Sequence, residues 1–241
     1  MVETSGTERE GRDAAGLEWH EGDMPYSPAF GDYFYSRADG RAECAHVFIK
    51  GNCLAERFAA GGEFTIAETG FGTGLNFAET VRQWKLIAPS AARLTFVSFE
   101  KYPMPREAID RALMAWPEIA AERAALTAGW PDDPSRGAAL DFGAVRLEVV
   151  AGEALASIRA WHGRADAWYL DGFAPSRNPD MWSAELMAAI AARTAPGGTF
   201  ATYTSAGWVR RNLAAAGFTV EKCPGHAGKR EMCRGRLAEA G

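Results

Sequence analysis

Short apolar runs rich in β-branched and aromatic residues recur along the chain, and most are followed by a stretch with helical spacing. Phe64-Thr65-Ile66-Ala67, Leu94 to Phe99, Val145 to Val150, Ala165 to Leu170 and Thr199 to Thr204 predict strands. Leu75 to Leu86 carries apolar residues at Leu75, Phe77, Ala78, Val81 and Trp84, which is the spacing of an amphipathic helix. Further helices are predicted around 105–125, 153–162, 182–193 and 207–216. This alternation implies right-handed β-α-β units, hence an α/β fold with a mostly parallel sheet and helices on both faces. Phe218-Thr219-Val220 and Glu231 to Leu237 have no helix between them and predict a closing antiparallel hairpin. Before the main sheet, Tyr33-Phe34-Tyr35 and Ala45 to Ile49 flank an Ala38-Asp39-Gly40 turn and read as an N-terminal hairpin. Residues 1–17 read as disordered, 18–60 as an extension packed on the core, and 61–241 as the main domain.

The junction after the first main strand carries the most specific chemistry. Glu68-Thr69-Gly70-Phe71-Gly72-Thr73-Gly74 places an acid and three alternate glycines between a strand and a helix. Such a turn lets its backbone touch a ligand, and the helix N-terminus adds free N–H groups. A dinucleotide fingerprint would need a glycine where Leu75 stands, and a phosphate-binding P-loop would need a lysine that is absent between Phe64 and Trp84. An acid at this place suits a cationic ligand, such as one with an ammonium and a sulfonium.

Composition narrows the class without choosing a substrate. The chain has 241 residues, 47% hydrophobic, enough for one domain with a full α/β core. The N-terminus is charged and polar without a secretory apolar stretch, and no apolar run is long enough to span a membrane. Cys44, Cys53, Cys223 and Cys233 form no Cys-x-x-Cys pair, so neither a metal site nor a disulfide framework is indicated. The expectation is a soluble cytoplasmic protein with reduced thiols and no metal. The net charge is −5, yet residues 201–241 carry seven Lys/Arg against three Asp/Glu. Arg210, Arg211, Lys229 and Arg230 lie in that basic stretch, which can meet a phosphate backbone locally or be solvated surface charge.

In an open parallel sheet the ligand lies across the carboxyl ends of the strands. Four predicted strand ends bear acids: Glu68 with its glycines, Glu100, Glu153 within Gly152-Glu153-Ala154, and Asp171 within Asp171-Gly172-Phe173-Ala174-Pro175. Glu100 is placed to accept ribose hydroxyls, and Glu153 to face an adenine amino group. Asp171 can take a proton from an amine, with Phe173 and Pro175 as a dry wall against the substrate.

Phe64 to Phe77, Ser98 to Met104, Trp168 to Trp182 and Lys229-Arg230-Glu231-Met232 resemble the methyltransferase part of the MnmC/MnmD family. Pro25 to Phe34 and Val47 to Asn52 share the resemblance, which runs from about residue 17 onward. It implies a Rossmann-like class I fold dependent on S-adenosyl-L-methionine (SAM). It implies that Glu68, Gly70, Gly72, Gly74, Asn76, Glu100, Lys101, Gly152, Glu153 and Asp171 hold SAM, and that Asp171 is catalytic. The substrate side would be Phe173, Pro175, Arg210, Arg211, Lys229 and Arg230, facing the anticodon arm of a tRNA. The family methylates the exocyclic amine of 5-aminomethyl-2-thiouridine at the wobble position. In two-domain members an oxidase dependent on FAD makes that amine, and here it would be a separate or removed partner. Two other readings remain: methylation of a different amine, and a SAM-fold protein that binds tRNA without catalysis.

Overall fold

The structure, a computed structural model, describes residues 16–36, 39–226 and 231–238. Disorder expected for residues 1–17 falls almost wholly outside that range, as do Lys229 and Arg230. Three short strands come first: β1 (Glu18–His20), β2 (Met24–Ser27) and β3 (Asp32–Tyr33) form an antiparallel meander. Helix α1 (Gly40–Cys44) continues through a π-helical stretch, Ala45–Lys50, and is followed by α2 (Leu54–Ala59). The main domain then runs β4 (Glu63–Thr69), α3 (Leu75–Ile87), β5 (Arg93–Glu100), α4 (Arg106–Leu113), α5 (Ala120–Gly129), β6 (Ala138–Asp141) and β7 (Val145–Ala151). It closes with α6 (Ala154–Ala160), β8 (Ala165–Leu170), α7 (Ala184–Ala192), β9 (Thr194–Thr202), α8 (Gly207–Ala215), β10 (Phe218–Pro224) and β11 (Glu231–Leu237).

Eight strands form the central sheet in the order β6-β7-β5-β4-β8-β9-β11-β10. The five from β7 to β9 are parallel, while β6, β11 and β10 pair antiparallel. Strand order reverses at β4, which has β5 on one side and β8 on the other, so the switch point opens between β4 and β8. The apolar runs alternate between two cores. Ile66, Phe96 and Tyr169 face one cluster, and Ala67, Val97 and Trp168 face the other. Both sheet faces are therefore covered, as continuous apolar strands require. No helix among the described residues is long and apolar enough to cross a membrane.

Two expectations need correction. The run Ala45 to Ile49 is helical, not a hairpin strand, and Asp39-Gly40 starts a helix instead of turning between strands. Asp39 accepts the Ala42 N–H at 3.0 Å, capping α1, and buried Cys44, Val47 and Phe48 lie at helical spacing. Phe48 stacks on Tyr169 of the sheet at 4.8 Å, so this helix belongs to the first core. Likewise the helix expected over 105–125 is broken, because Pro117 removes an N–H and pushes Trp116 to extended geometry (φ −125°).

Asp39 also accepts the indole N–H of Trp116 at 3.1 Å, tying the N-terminal segment to the break between α4 and α5. Asp39→Ala loses the cap and leaves the indole without this acceptor. We expect destabilisation of about 1–3 kcal/mol in denaturant titration. A change below about 0.5 kcal/mol, the level of an ordinary surface substitution, would show that neither contact matters.

Candidate active site at the carboxyl ends of the central strands

The chain leaves β4 through Gly70 (φ +86°), Gly72 (φ +53°) and Gly74 (φ +77°), all in the left-handed region that side chains disfavour. Each glycine has a different neighbour. A Cβ on Gly70 would sit 3.8 Å from the Gly172 Cα, so two strand-end loops approach closely there. On Gly72 it would lie 3.4 Å from the Phe34 ring, and on Gly74 3.0 Å from both Phe71 and Leu126. Gly74 thus serves packing and does not line the cavity. The Gly72 N–H donates to Glu100 Oε2 at 3.0 Å, and the Tyr102 N–H donates to Glu100 Oε1 at 2.7 Å. Glu100 therefore fastens the glycine turn to the end of β5. Each of its oxygens keeps a second acceptor site for a hydroxyl.

A polar network joins β4, β5, α3 and β8 beneath the turn. Asn76 donates through Nδ2 to Glu68 Oε1 at 2.8 Å and to Asp171 Oδ2 at 2.7 Å. Ser98 Oγ donates to Glu68 Oε2 at 2.7 Å. Thr69 Oγ1 donates to the Asp171 carbonyl at 2.8 Å and accepts the Asp171 N–H at 3.1 Å. Glu68 is fully buried and does not reach the cavity; Asn76 stands between. Burial pushes the Glu68 carboxyl well above the ordinary carboxylate range, and the Asp171 charge pushes it the same way. The hydrogen bonds from Ser98 and Asn76 oppose that shift without cancelling it, and of the two carboxylates only Asp171 lines the cavity.

A single open cavity of about 1640 Å³ runs along these strand ends. Gly70, Gly72, Asn76, Glu100, Lys101, Glu153, Asp171 and Phe173 line it. Gly152 (φ +135°) and Pro175 do not line it, although the Gly152 N–H holds the Glu100 carbonyl at 2.9 Å. Glu153 and Lys101 meet each other at 2.5 Å on the exposed lip. Arg210 and Arg211 stand outside the cavity on α8, and Arg210 Nε donates to the Ser205 carbonyl at 3.2 Å. Two basic residues of the same stretch are neutralised locally, Lys222 by Glu231 at 2.6 Å and Arg234 by Glu221 at 3.0 Å. Phe30, Phe34 and Tyr203 also line the cavity, and sequence reasoning gave them no role. Tyr203 Oη donates to the Gly172 carbonyl at 2.8 Å, steadying the turn after Asp171. Among the described residues, no group of three or more His, Cys, Asp and Glu is arranged to hold a metal ion.

A family model described as S-adenosyl-L-methionine-dependent methyltransferase matches residues 117–238. The chain belongs to this family. It is 49% identical over 229 residues to the tRNA 5-methylaminomethyl-2-thiouridine biosynthesis bifunctional protein MnmC of Chromohalobacter salexigens, covering 92% of this chain and 33% of that one. The protein of the same name from Pseudomonas aeruginosa is 47% identical over 226 residues, 92% of this chain and 35% of that one. The chain thus spans about a third of the length of these curated relatives. The crystal structure of MNMC2 from Aquifex aeolicus aligns with a TM-score of 0.72 at 22% identity, over 93% of this chain and 70% of that one, a likeness of fold.

The cavity of this methyltransferase suits its cofactor on structural grounds. Gly70 and Gly72 line the cavity with bare backbone at positive φ, and Glu100 offers acceptors at the next strand end. SAM binding at micromolar order is expected, with Gly72→Val weakening it by strain and by crowding Phe34. Calorimetry showing equal affinity for the variant would refute this placement. Glu68 generates a separate expectation. Its folded-state pKa is raised, so its contribution is complete below the ordinary value of 4.5 and is lost as pH rises towards the folded value. Glu68→Gln mimics the neutral acid and removes that loss. Melting temperatures measured across pH 4–8 should show the wild type falling relative to the variant as pH rises; parallel curves would mean Glu68 ionises as easily folded as unfolded.

Proposed function

We propose that this chain methylates the exocyclic amine of 5-aminomethyl-2-thiouridine at the tRNA wobble position, giving 5-methylaminomethyl-2-thiouridine. The observation that carries the reading is Asp171, whose carboxylate is held by Asn76 in a cavity it shares with an aromatic wall and the glycine turn. The name of these relatives supplies the nucleoside, and the chemistry of the site fits an amine. SAM, when bound, would supply an electrophilic methyl group, which leaves this chain the task of holding and orienting the amine lone pair beside it. An aliphatic amine titrates near about 10 and arrives as an ammonium. Asp171 holds that ammonium and takes its proton, directly or through water, so that the lone pair is free. Phe173 keeps bulk water from the approach. Arg210 and Arg211, with Lys229 and Arg230, supply contacts to the anticodon arm. The amine itself comes from an FAD-dependent oxidase, either a separate protein or an adjoining domain, in keeping with relatives named bifunctional.

The deciding experiment incubates the protein with labelled SAM and tRNA from cells lacking the modification, then identifies the product nucleoside by mass spectrometry. Label in 5-methylaminomethyl-2-thiouridine is the expected result; label in another amine, or none, overturns the assignment. Asp171→Asn keeps the shape and removes the charge. Its single-turnover rate should fall about 10²–10⁴-fold while SAM affinity changes far less. Near-normal turnover would remove Asp171 from the chemistry, and a matching loss of SAM binding would make it a cofactor ligand.

A further inference from the structure

The acceptor end of the cavity contains an aromatic corner built from two distant parts of the chain. Phe30 stacks on Phe173 with ring centroids 4.5 Å apart and planes 22° apart. Phe34 stands almost upright against Phe173, at 5.1 Å and 71°. All three rings are half-buried and line the cavity, so the stacked pair makes a shelf and Phe34 an end wall. Both sides of the corner are fixed. Asp32, between the two N-terminal phenylalanines, accepts the Ala174 N–H at 3.1 Å and the Tyr33 N–H at 3.0 Å. Trp182 Nε1 donates to the Phe173 carbonyl at 3.1 Å. Phe173 follows Asp171 by two residues, so the corner borders the carboxylate.

We propose that this corner is the nucleobase site and sets acceptor specificity: it takes a pyrimidine swung out of its strand, with Arg177 on the flanking phosphate. The inference deepens the tRNA reading above and rests on it. A cavity of about 1640 Å³ is larger than the roughly 300–1,000 Å³ that encloses a drug-sized ligand, which leaves room for a second reactant beside the cofactor. Half-exposed rings cost least when a planar partner covers them, and single-stranded loop bases are read in this way. A wobble base lies in such a loop, so extruding it costs less than flipping one from a duplex. Arg177 lies on the same loop as Phe173 and is exposed. A Cβ on Gly31 would sit 3.2 Å from its Nη1 and 3.6 Å from Tyr26 Oη, so the guanidinium lies across the N-terminal segment beside the shelf. Among the described residues it forms no ion pair, which leaves its fork available to an anion.

Phe34 also borders the glycine turn, so Phe30 is the cleaner position to change. Wild type, Phe30→Ala, Phe30→Tyr and Arg177→Gln are titrated with fluorescent tRNA lacking the methyl group, and separately with SAM by calorimetry. Phe30→Ala should weaken tRNA binding by about 5- to 100-fold, Phe30→Tyr should restore it, and SAM affinity should hold in all. Arg177→Gln should lower the slope of log Kd against log salt by about one. Unchanged tRNA affinity in Phe30→Ala, or a parallel loss of SAM binding, overturns the base site while leaving the tRNA reading intact. An unchanged salt slope in Arg177→Gln overturns the phosphate contact. A wild type that does not bind tRNA overturns both readings. One that binds but does not methylate overturns only the catalytic one.

Discussion

Both hydrogens of the Asn76 amide point at carboxylates, one on Glu68 and one on Asp171. That side chain sits in the first turn of α3, directly after the three left-handed glycines, so its position depends on the turn. Its partners lie at or just beyond the ends of two adjacent parallel strands on either side of the switch point. One amide thereby sets the relative height of β4, β8 and α3, and the Thr69–Asp171 pair of hydrogen bonds repeats the constraint through the backbone. Burial and the neighbouring Asp171 charge both hold the deeper carboxylate, Glu68, towards its neutral form. The shallower one faces the cavity, where a cationic reactant can compensate it.

The same arrangement separates two jobs along the cleft. Core strands β4 and β5, through the glycine turn and Glu100, build one end of the cavity. The meander before the core, through Phe30, Asp32 and Phe34, builds the far end by docking on the loop after Asp171. Asp171 stands at their boundary. A generic cofactor site can thus stay with the fold while an added segment shapes what enters beside it.

Much of the core was legible because its signals are local. Alternating strand and helix patterns, the glycine spacing and the acids at strand ends all lie within a few residues of the structure they specify. Ala165–Leu170 is a strand with the bounds its apolar run suggests, and α3 starts at Leu75, directly after Gly74. What failed to show was set by distance in sequence. Ala45 to Ile49 is a short apolar run that fits strand or helix equally, and Tyr169, more than a hundred residues on, helps decide it. Asp32 binds Ala174, a separation of 142 residues, and no local pattern announces that contact. The Glu-x-Gly signal at the end of β4 suggested ligand contact for Glu68, but its spacing says nothing about depth. Ser98 on β5 is what satisfies its second oxygen there.

Glycine chemistry gives the sharpest example of that difference. The three alternate glycines look equivalent in the sequence, and all three adopt positive φ. Their surroundings differ completely. Gly70 allows two loops to meet, Gly72 faces an aromatic wall contributed by residue 34, and Gly74 is pressed against Phe71 and Leu126 in the core. Phe71 itself stacks on Trp130 at 5.1 Å, and the Trp130 indole donates to the Met104 carbonyl at 3.0 Å. The last glycine therefore fixes the cleft indirectly: it lets Phe71 seat in a rigid aromatic core, and that seating sets the angle at which α3 begins. Because Asn76 rides on the first turn of α3, packing on the far side of the glycine turn reaches Asp171 through the Asn76–Asp171 hydrogen bond. A methyl-transfer site, which depends on in-line geometry more than on any single strong contact, is the kind of site for which such buttressing matters most.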